Sequence, residues 1–240
     1  MAEPNLCESQ LDSVEAFAGL DTEDLRSLEF YVRVVDLRKG EWLFMEGDSR
    51  SEVYCLVDGR IKISRLSRTG KEFILALIEP GEIFGECSLF VDGPHDSFGV
   101  ASQDSRVVTI PSSEIAKLMA KHSDLPLRLA KLVEHRRQKL ERRLVALAFH
   151  KVRGRVASLL LQLCQDYGVQ RIDGISLRID LRHQEMANLI GVSREIVSHT
   201  LSDFRREGLV DSDGRTLIVR QSLLLEQIHD VAAHRKEIMS

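Results

Sequence analysis

His183-Gln184-Glu185-Met186-Ala187-Asn188-Leu189-Ile190-Gly191-Val192-Ser193-Arg194-Glu195-Ile196-Val197-Ser198-His199 reads as two short helices meeting at a tight turn. Met186, Leu189 and Ile190 give the first helix one apolar stripe at helical spacing. Gly191 supplies a turn position where a side chain would obstruct the change of direction. Ser193 can accept a hydrogen bond from the free amides of the next turn, so a second helix starts there. Ile196, Val197, Leu201 and Phe204 are its expected apolar face, which leaves Arg194, Glu195, Ser198 and His199 pointing outward. Arg offers two donors to the acceptor edge of guanine, and Glu accepts from the amino group of cytosine. Such a pair at a helix N-terminus suits a reader of the DNA major groove. The plain alternative is an ordinary helical hairpin with a solvated charged face.

The residues beyond the second helix favour the groove reader. After Arg205-Arg206-Glu207-Gly208, two β-prone runs, Leu209-Val210 and Thr216-Leu217-Ile218-Val219, flank Asp211-Ser212-Asp213-Gly214-Arg215. Asp-Gly between such runs predicts a small hairpin. A hairpin directly after a recognition helix is the wing of a winged helix, with Arg215 near its tip. Arg215 is either a phosphate contact or a solvated turn residue.

The rest of the chain supplies a partner for this module. At 240 residues it is long enough for two domains. The net charge of −4 is unevenly spread: residues 1–125 carry −10 and residues 126–240 carry +6. A basic half joined to an acidic half fits a DNA reader coupled to a sensor. No apolar run approaches the ~20 residues that span a membrane, and the N-terminus lacks the regions of a signal peptide. The expected location is the cytoplasm, with no membrane partner. Cys7, Cys55, Cys87 and Cys164 show no C-x-x-C spacing, so reduced thiols are expected and no metal site.

Residues 9–30 look helical, with Asp21 as a capping residue. From 31 to 111 the texture changes to short β-prone runs: Tyr31–Leu37, Trp42–Met45, Val53–Val57, Arg60–Leu66, Phe73–Ile78 and Val107–Ile110. Turn signals separate them, among them Asp58-Gly59, Thr69-Gly70 and Pro80-Gly81. Short strands at roughly 8–12-residue spacing predict a small antiparallel β-barrel or jelly roll, a shape that encloses a pocket. Ser112 or Ser113 is expected to cap a helix running to about His122. No Gly or Pro lies between Pro126 and Gly154, so a long helix is expected there. Val133, Leu140 and Leu147 recur every seven residues along it, with Leu144 between, which is the spacing of a two-stranded seam. Its flanks are strongly polar, so a homodimer helix is favoured over one lying on a domain surface. Helices are expected over 155–167 and 222–237. The fold class is α+β. The domains are a sensor over 1–124, a dimerisation helix over 125–150 and a winged helix-turn-helix over 151–240.

This order of parts resembles the bacterial CRP/FNR transcription regulators from about residue 15 to 225. Two motifs carry the resemblance. Gly81-Glu82-Ile83-Phe84-Gly85-Glu86-Cys87-Ser88-Leu89-Phe90 looks like the start of that family's phosphate-binding cassette. Arg182-His183-Gln184-Glu185, followed by Gly191-Val192-Ser193-Arg194-Glu195, looks like its DNA-reading signature. The resemblance implies double-stranded DNA and RNA polymerase as partners.

It also shows where the chain departs from the family. The arginine that pairs with the cyclic phosphate in cAMP-binding members falls on Asp96, beside a matching Ser97. A carboxylate there would repel a phosphate, and a buried phosphate without a cation is costly. The hydroxyl pair that contacts adenine falls on Leu140 and Glu141, and only Glu86 remains as a ribose ligand. The expectation is that cAMP is not bound in the usual way. Iron–sulfur members need an N-terminal cysteine cluster, and Cys7 stands alone. Haem would need an axial ligand, and His95 reads as a solvated loop residue. Arg136, Arg137 and Lys139 could meet cyclic di-GMP or another anionic effector, or simply pair with Glu134 and Glu141. A further option is no effector at all. No cofactor is expected and the effector is unknown.

On the DNA side, the resemblance makes Arg194 and Glu195 base readers of a recognition helix over 193–206. Ser198 matches the FNR branch, and His199 stands where both branches carry Arg. His183 and Gln184 are expected to contact phosphate and set register. The whole reads as a homodimeric regulator on a two-fold symmetric site. The rival is an enzyme or ligand-binding module with an incidental hairpin. No Ser-His-Asp, paired-carboxylate or metal-spaced set gathers near a shared motif, so catalysis is not expected.

Overall fold

The computed structural model describes residue 11, residues 14–214 and residues 216–220. The chain forms two compact units, 1–136 and 137–240.

The first unit opens with a short 3-10 turn, Glu15–Phe17, then helix α1 (Thr22–Glu29). The helical stretch expected over 9–30 is interrupted ahead of the Asp21 cap: Gly19 takes a left-handed backbone at φ 83°, a turn that ordinary residues resist. Asp21 does occupy the N-cap position of α1, but its side chain makes no cap hydrogen bond.

Eight strands come next: β1 (Arg33–Leu37), β2 (Trp42–Phe44), β3 (Glu52–Asp58), β4 (Ile61–Leu66), β5 (Glu72–Ile78), β6 (Ile83–Phe84), β7 (Phe98–Ala101) and β8 (Ser105–Pro111). They form two four-stranded antiparallel sheets, in the orders β1-β8-β3-β6 and β2-β7-β4-β5. Among the described residues both sheets keep free edges, so the form is a jelly roll and not a closed barrel. Strand β3 shows why its apolar run is unbroken. Tyr54 and Leu56 face a core with Phe84, Ile61 and Val107. Val53 and Cys55 face a second core with Leu25, Ile110, Ile115, Leu125 and Leu129. A strand buried on both faces has no polar side to alternate. Helix α2 (Ser112–Lys121) has Pro111 as its N-cap, with no side-chain cap bond, so neither Ser112 nor Ser113 caps it.

Helix α3 (Leu125–Phe149) is 25 residues long and crosses the boundary between the units. The second unit continues with α4 (Val152–Tyr167), strands β9 (Gly168–Arg171) and β10 (Gly174–Leu177), α5 (His183–Ile190), α6 (Arg194–Arg206), and the wing, β11 (Val210–Asp213) and β12 (Thr216–Val219). Its sheet order is β11-β12-β10-β9. The wing is thus half of a four-stranded sheet, and the β9–β10 hairpin was not expected. Its turn contains Asp173-Gly174, the kind of signal that identified the wing. The expected helix over 222–237, Cys7 and Arg215 lie outside the described residues.

Candidate nucleic-acid interface

Helices α5 and α6 are joined by the turn that the glycine demanded. Gly191 sits at φ 67°, and the amide of Val192 donates back to the carbonyl of Ala187 at 3.1 Å. A left-handed glycine closing a helix in this way satisfies carbonyls that would otherwise be orphaned. At the start of α5 the Glu185 carboxylate accepts from the Arg182 amide at 2.9 Å. At the start of α6 the Ser193 hydroxyl accepts from the Ile196 amide at 3.4 Å.

The buried stripe of α6 is Val197, Thr200, Leu201 and Phe204. Ile196, expected among them, is instead 39% exposed, and Thr200 takes the fourth inward place. At about 100° per residue, position 200 lies roughly 40° beyond position 204 at the side of the stripe, and position 196 lies roughly a further 40° out, on the edge of the outward face. Phe204 is fully buried, and the Arg153 guanidinium lies 4.6 Å from its ring centroid.

Arg194 and Glu195 are exposed in the first turn of α6. The Arg194 side chain makes no hydrogen bond or ion pair among the described residues. The Glu195 carboxyl is held below its ordinary range by its own backbone amide and by the Ser193 hydroxyl, so it stands as an ionised acceptor.

The other outward residues are already engaged. Ser198 and His183, expected to make separate contacts, meet each other: the hydroxyl lies 2.8 Å from Nδ1 of the imidazole. Burial, with Arg205 and Arg194 nearby, holds His183 below its ordinary pKa, so the neutral ring is favoured. His199 Nδ1 lies 3.1 Å from Asp203, whose carboxylate also accepts from Arg206 at 2.7 Å. Gln184 donates to Asn188 at 2.8 Å.

In the first unit, the cassette residue Glu86 meets Arg136, and Gly85 beside it packs against Tyr54. Gly85 is left-handed at φ 76°, and a Cβ there would lie 2.6 Å from the Tyr54 ring. Arg136 reaches Glu86 at 3.2 Å, Glu82 at 3.5 Å and the Ile83 carbonyl. Asp96 is not an isolated negative charge. It pairs with Arg65 and lies 3.7 Å from Arg50, which softens the expected repulsion. Ser97 is buried beside it in sequence. His95 is not solvated: it is 5% exposed and stacks on Phe44 with centroids 4.0 Å apart. Burial holds its pKa down.

The second unit holds Leu140 and Glu141. Glu141 pairs with Arg137 at 2.9 Å, as the plain reading of that charge cluster expected. Lys139 pairs with Asp166 at 3.2 Å instead. Along α3, Val133 and Leu144 are exposed at 37% and 53%, while Leu140 and Leu147 are half-buried.

A model of the cyclic nucleotide-binding domain matches residues 34–122, and a model of the Crp-like helix-turn-helix domain matches residues 154–228. The chain belongs to the CRP/FNR family. It is 30% identical over 206 residues to the CRP-like cAMP-activated global transcriptional regulator of Mycobacterium tuberculosis, covering 86% of this chain and 92% of that one. It is 32% identical over 212 residues to the cyclic AMP receptor protein of Thermus thermophilus, covering 88% and 95%. The structure of FixK2 from Bradyrhizobium japonicum has the same fold, with a TM-score of 0.71 at 22% identity, covering 82% of this chain and 96% of that one. Members of the CRP/FNR family are transcription regulators and not enzymes. This CRP/FNR protein accordingly pairs a cyclic-nucleotide-binding-like domain with a DNA-binding helix-turn-helix. Among the described residues, no helix is long and apolar enough to cross a membrane.

Proposed function

We propose that this regulator works as a cytoplasmic homodimer that reads a two-fold symmetric site on double-stranded DNA and acts on RNA polymerase. The observation that carries the reading is the first turn of α6. An arginine with no hydrogen bond or ion pair among the described residues and an ionised glutamate project there from a helix fixed by a buried stripe behind them. Arg194 suits the acceptor edge of guanine and Glu195 the amino group of cytosine. Val133, Leu140, Leu144 and Leu147 support a helix-to-helix seam. With Ala130 and Arg137 they recur at alternating steps of three and four. Two-fold symmetry would set the recognition helices one helical turn apart, roughly 34 Å. Gln184 and the His183–Ser198 pair flank the base readers and, with Arg215, would meet the phosphate backbone.

Selection from a random DNA pool, followed by gel shifts, tests this. Enrichment of a symmetric site with a G·C pair at matched positions of each half is the expected result. Equal affinity for every sequence would overturn it.

The regulator does not bind cAMP in the manner of the relatives named for it. Its cassette carries Asp96 where the phosphate needs a cation, the nearby Arg65 and Arg50 are turned to that carboxylate, and Leu140 and Glu141 offer adenine no hydroxyl. Glu86, the remaining ligand, is occupied by Arg136. Calorimetry is expected to give no saturable heat with cAMP at micromolar concentrations. Stoichiometric micromolar binding would refute the statement. Cyclic di-GMP or another polyanion gains no support from the helix cations: Arg136, Arg137 and Lys139 each already pair with a carboxylate.

A further inference from the structure

Ile196 is the residue of α6 that its own domain leaves unexplained. It lies in the first turn, between Glu195 and Val197, and is 39% exposed although β-branched and wholly apolar. The helix does not bury it, because the inward stripe is complete with Val197, Thr200, Leu201 and Phe204. Its neighbours along the same edge do not cover it either. His199, three residues on, is turned to Asp203, and Asp203 is held by Arg206. Val192, four residues back, is itself buried. The result is an aliphatic side chain on an otherwise polar outward face, next to one base-reading candidate and two residues from the other.

In a major groove the only apolar feature on a base-pair edge is the thymine 5-methyl group. The N-terminal residues of a recognition helix are the ones that reach base edges. Glu195 and Ile196 are adjacent, so a helix that brings the carboxylate to a cytosine amino group carries the isoleucine to a nearby base pair. We infer that Ile196 is a specificity-determining residue that packs on a thymine methyl close to the G·C pair read by Arg194 and Glu195. The inference rests on the base-reading role proposed for that pair. It adds a second kind of readout, apolar and not hydrogen-bonded, to each half-site.

The test uses the full-length protein and the symmetric site obtained by selection. Each thymine near the G·C pair is replaced in turn by deoxyuridine, which removes the methyl and leaves every hydrogen-bonding group in place. Removing one buried methyl should weaken binding about fourfold in one half-site, and about fifteenfold when both halves are changed. With Ile196→Ala, the thymine and uracil sites should bind alike. Alanine favours helix at this exposed position, so the variant should fold, and its circular dichroism melt checks this. Two results would overturn the inference alone: a site with G·C preference but no thymine beside it, or a uracil penalty of the same size in Ile196→Ala. A protein that selects no G·C pair would remove the inference together with the reading beneath it.

Discussion

Replacing Arg194 with alanine is expected to weaken binding to the selected site by about 1–3 kcal/mol, roughly fivefold to more than a hundredfold. The guanidinium is exposed and makes no hydrogen bond or ion pair among the described residues, so its removal breaks no such contact among them. The cost should therefore fall on the complex. It should be confined to specific DNA, and preference at one base pair per half-site should relax. Gel shifts on matched specific and random duplexes read both. An equal loss on the two duplexes would mean that Arg194 only meets phosphate. Mutation of a phosphate-contacting cation, by contrast, lowers the salt dependence of binding on all sequences.

Phe204→Ala is the second large effect, and it acts through stability. The ring is fully buried behind the recognition helix and lies under the Arg153 guanidinium, which also pairs with Glu207. Truncating a buried phenylalanine costs about 3–5 kcal/mol through lost transfer energy and the cavity left behind. Total domain stability is only about 5–15 kcal/mol. The C-terminal domain should melt far lower, and specific and random DNA should be lost together as α6 loses its seat. Thermal unfolding by circular dichroism gives the first result, and the gel shift gives the second. A near-native melt would show that the site collapses around the missing ring.

The two substitutions separate what the sequence disclosed from what it concealed. Helix α6, the Gly191 turn and the wing were legible because each has local chemistry: a capping serine, a left-handed glycine and an Asp-Gly hairpin. The length of α3 was legible from the absence of Gly and Pro. Ile196 was misplaced because hydrophobicity alone cannot separate two adjacent apolar residues at the edge of a stripe. The tertiary core chose Val197 and Thr200. The ties that set the site's character were hidden for a different reason. His183–Ser198 spans 15 residues, Arg65–Asp96 spans 31 and Arg136–Glu86 spans 50. No local pattern reports such pairings, so Asp96 read as a bare charge and His95 as a solvated one.

The Arg136 contact also changes the terms on which the cassette can take up a small molecule. The guanidinium belongs to the same chain as Glu82 and Glu86, so it meets them at an effective concentration that dilution never lowers. Any metabolite that seeks Glu86 through a hydrogen-bond donor is therefore competing with a resident. Arg136→Ala would be the evicted form of the protein, in which the intrinsic appetite of the cassette for small molecules can be measured without a rival.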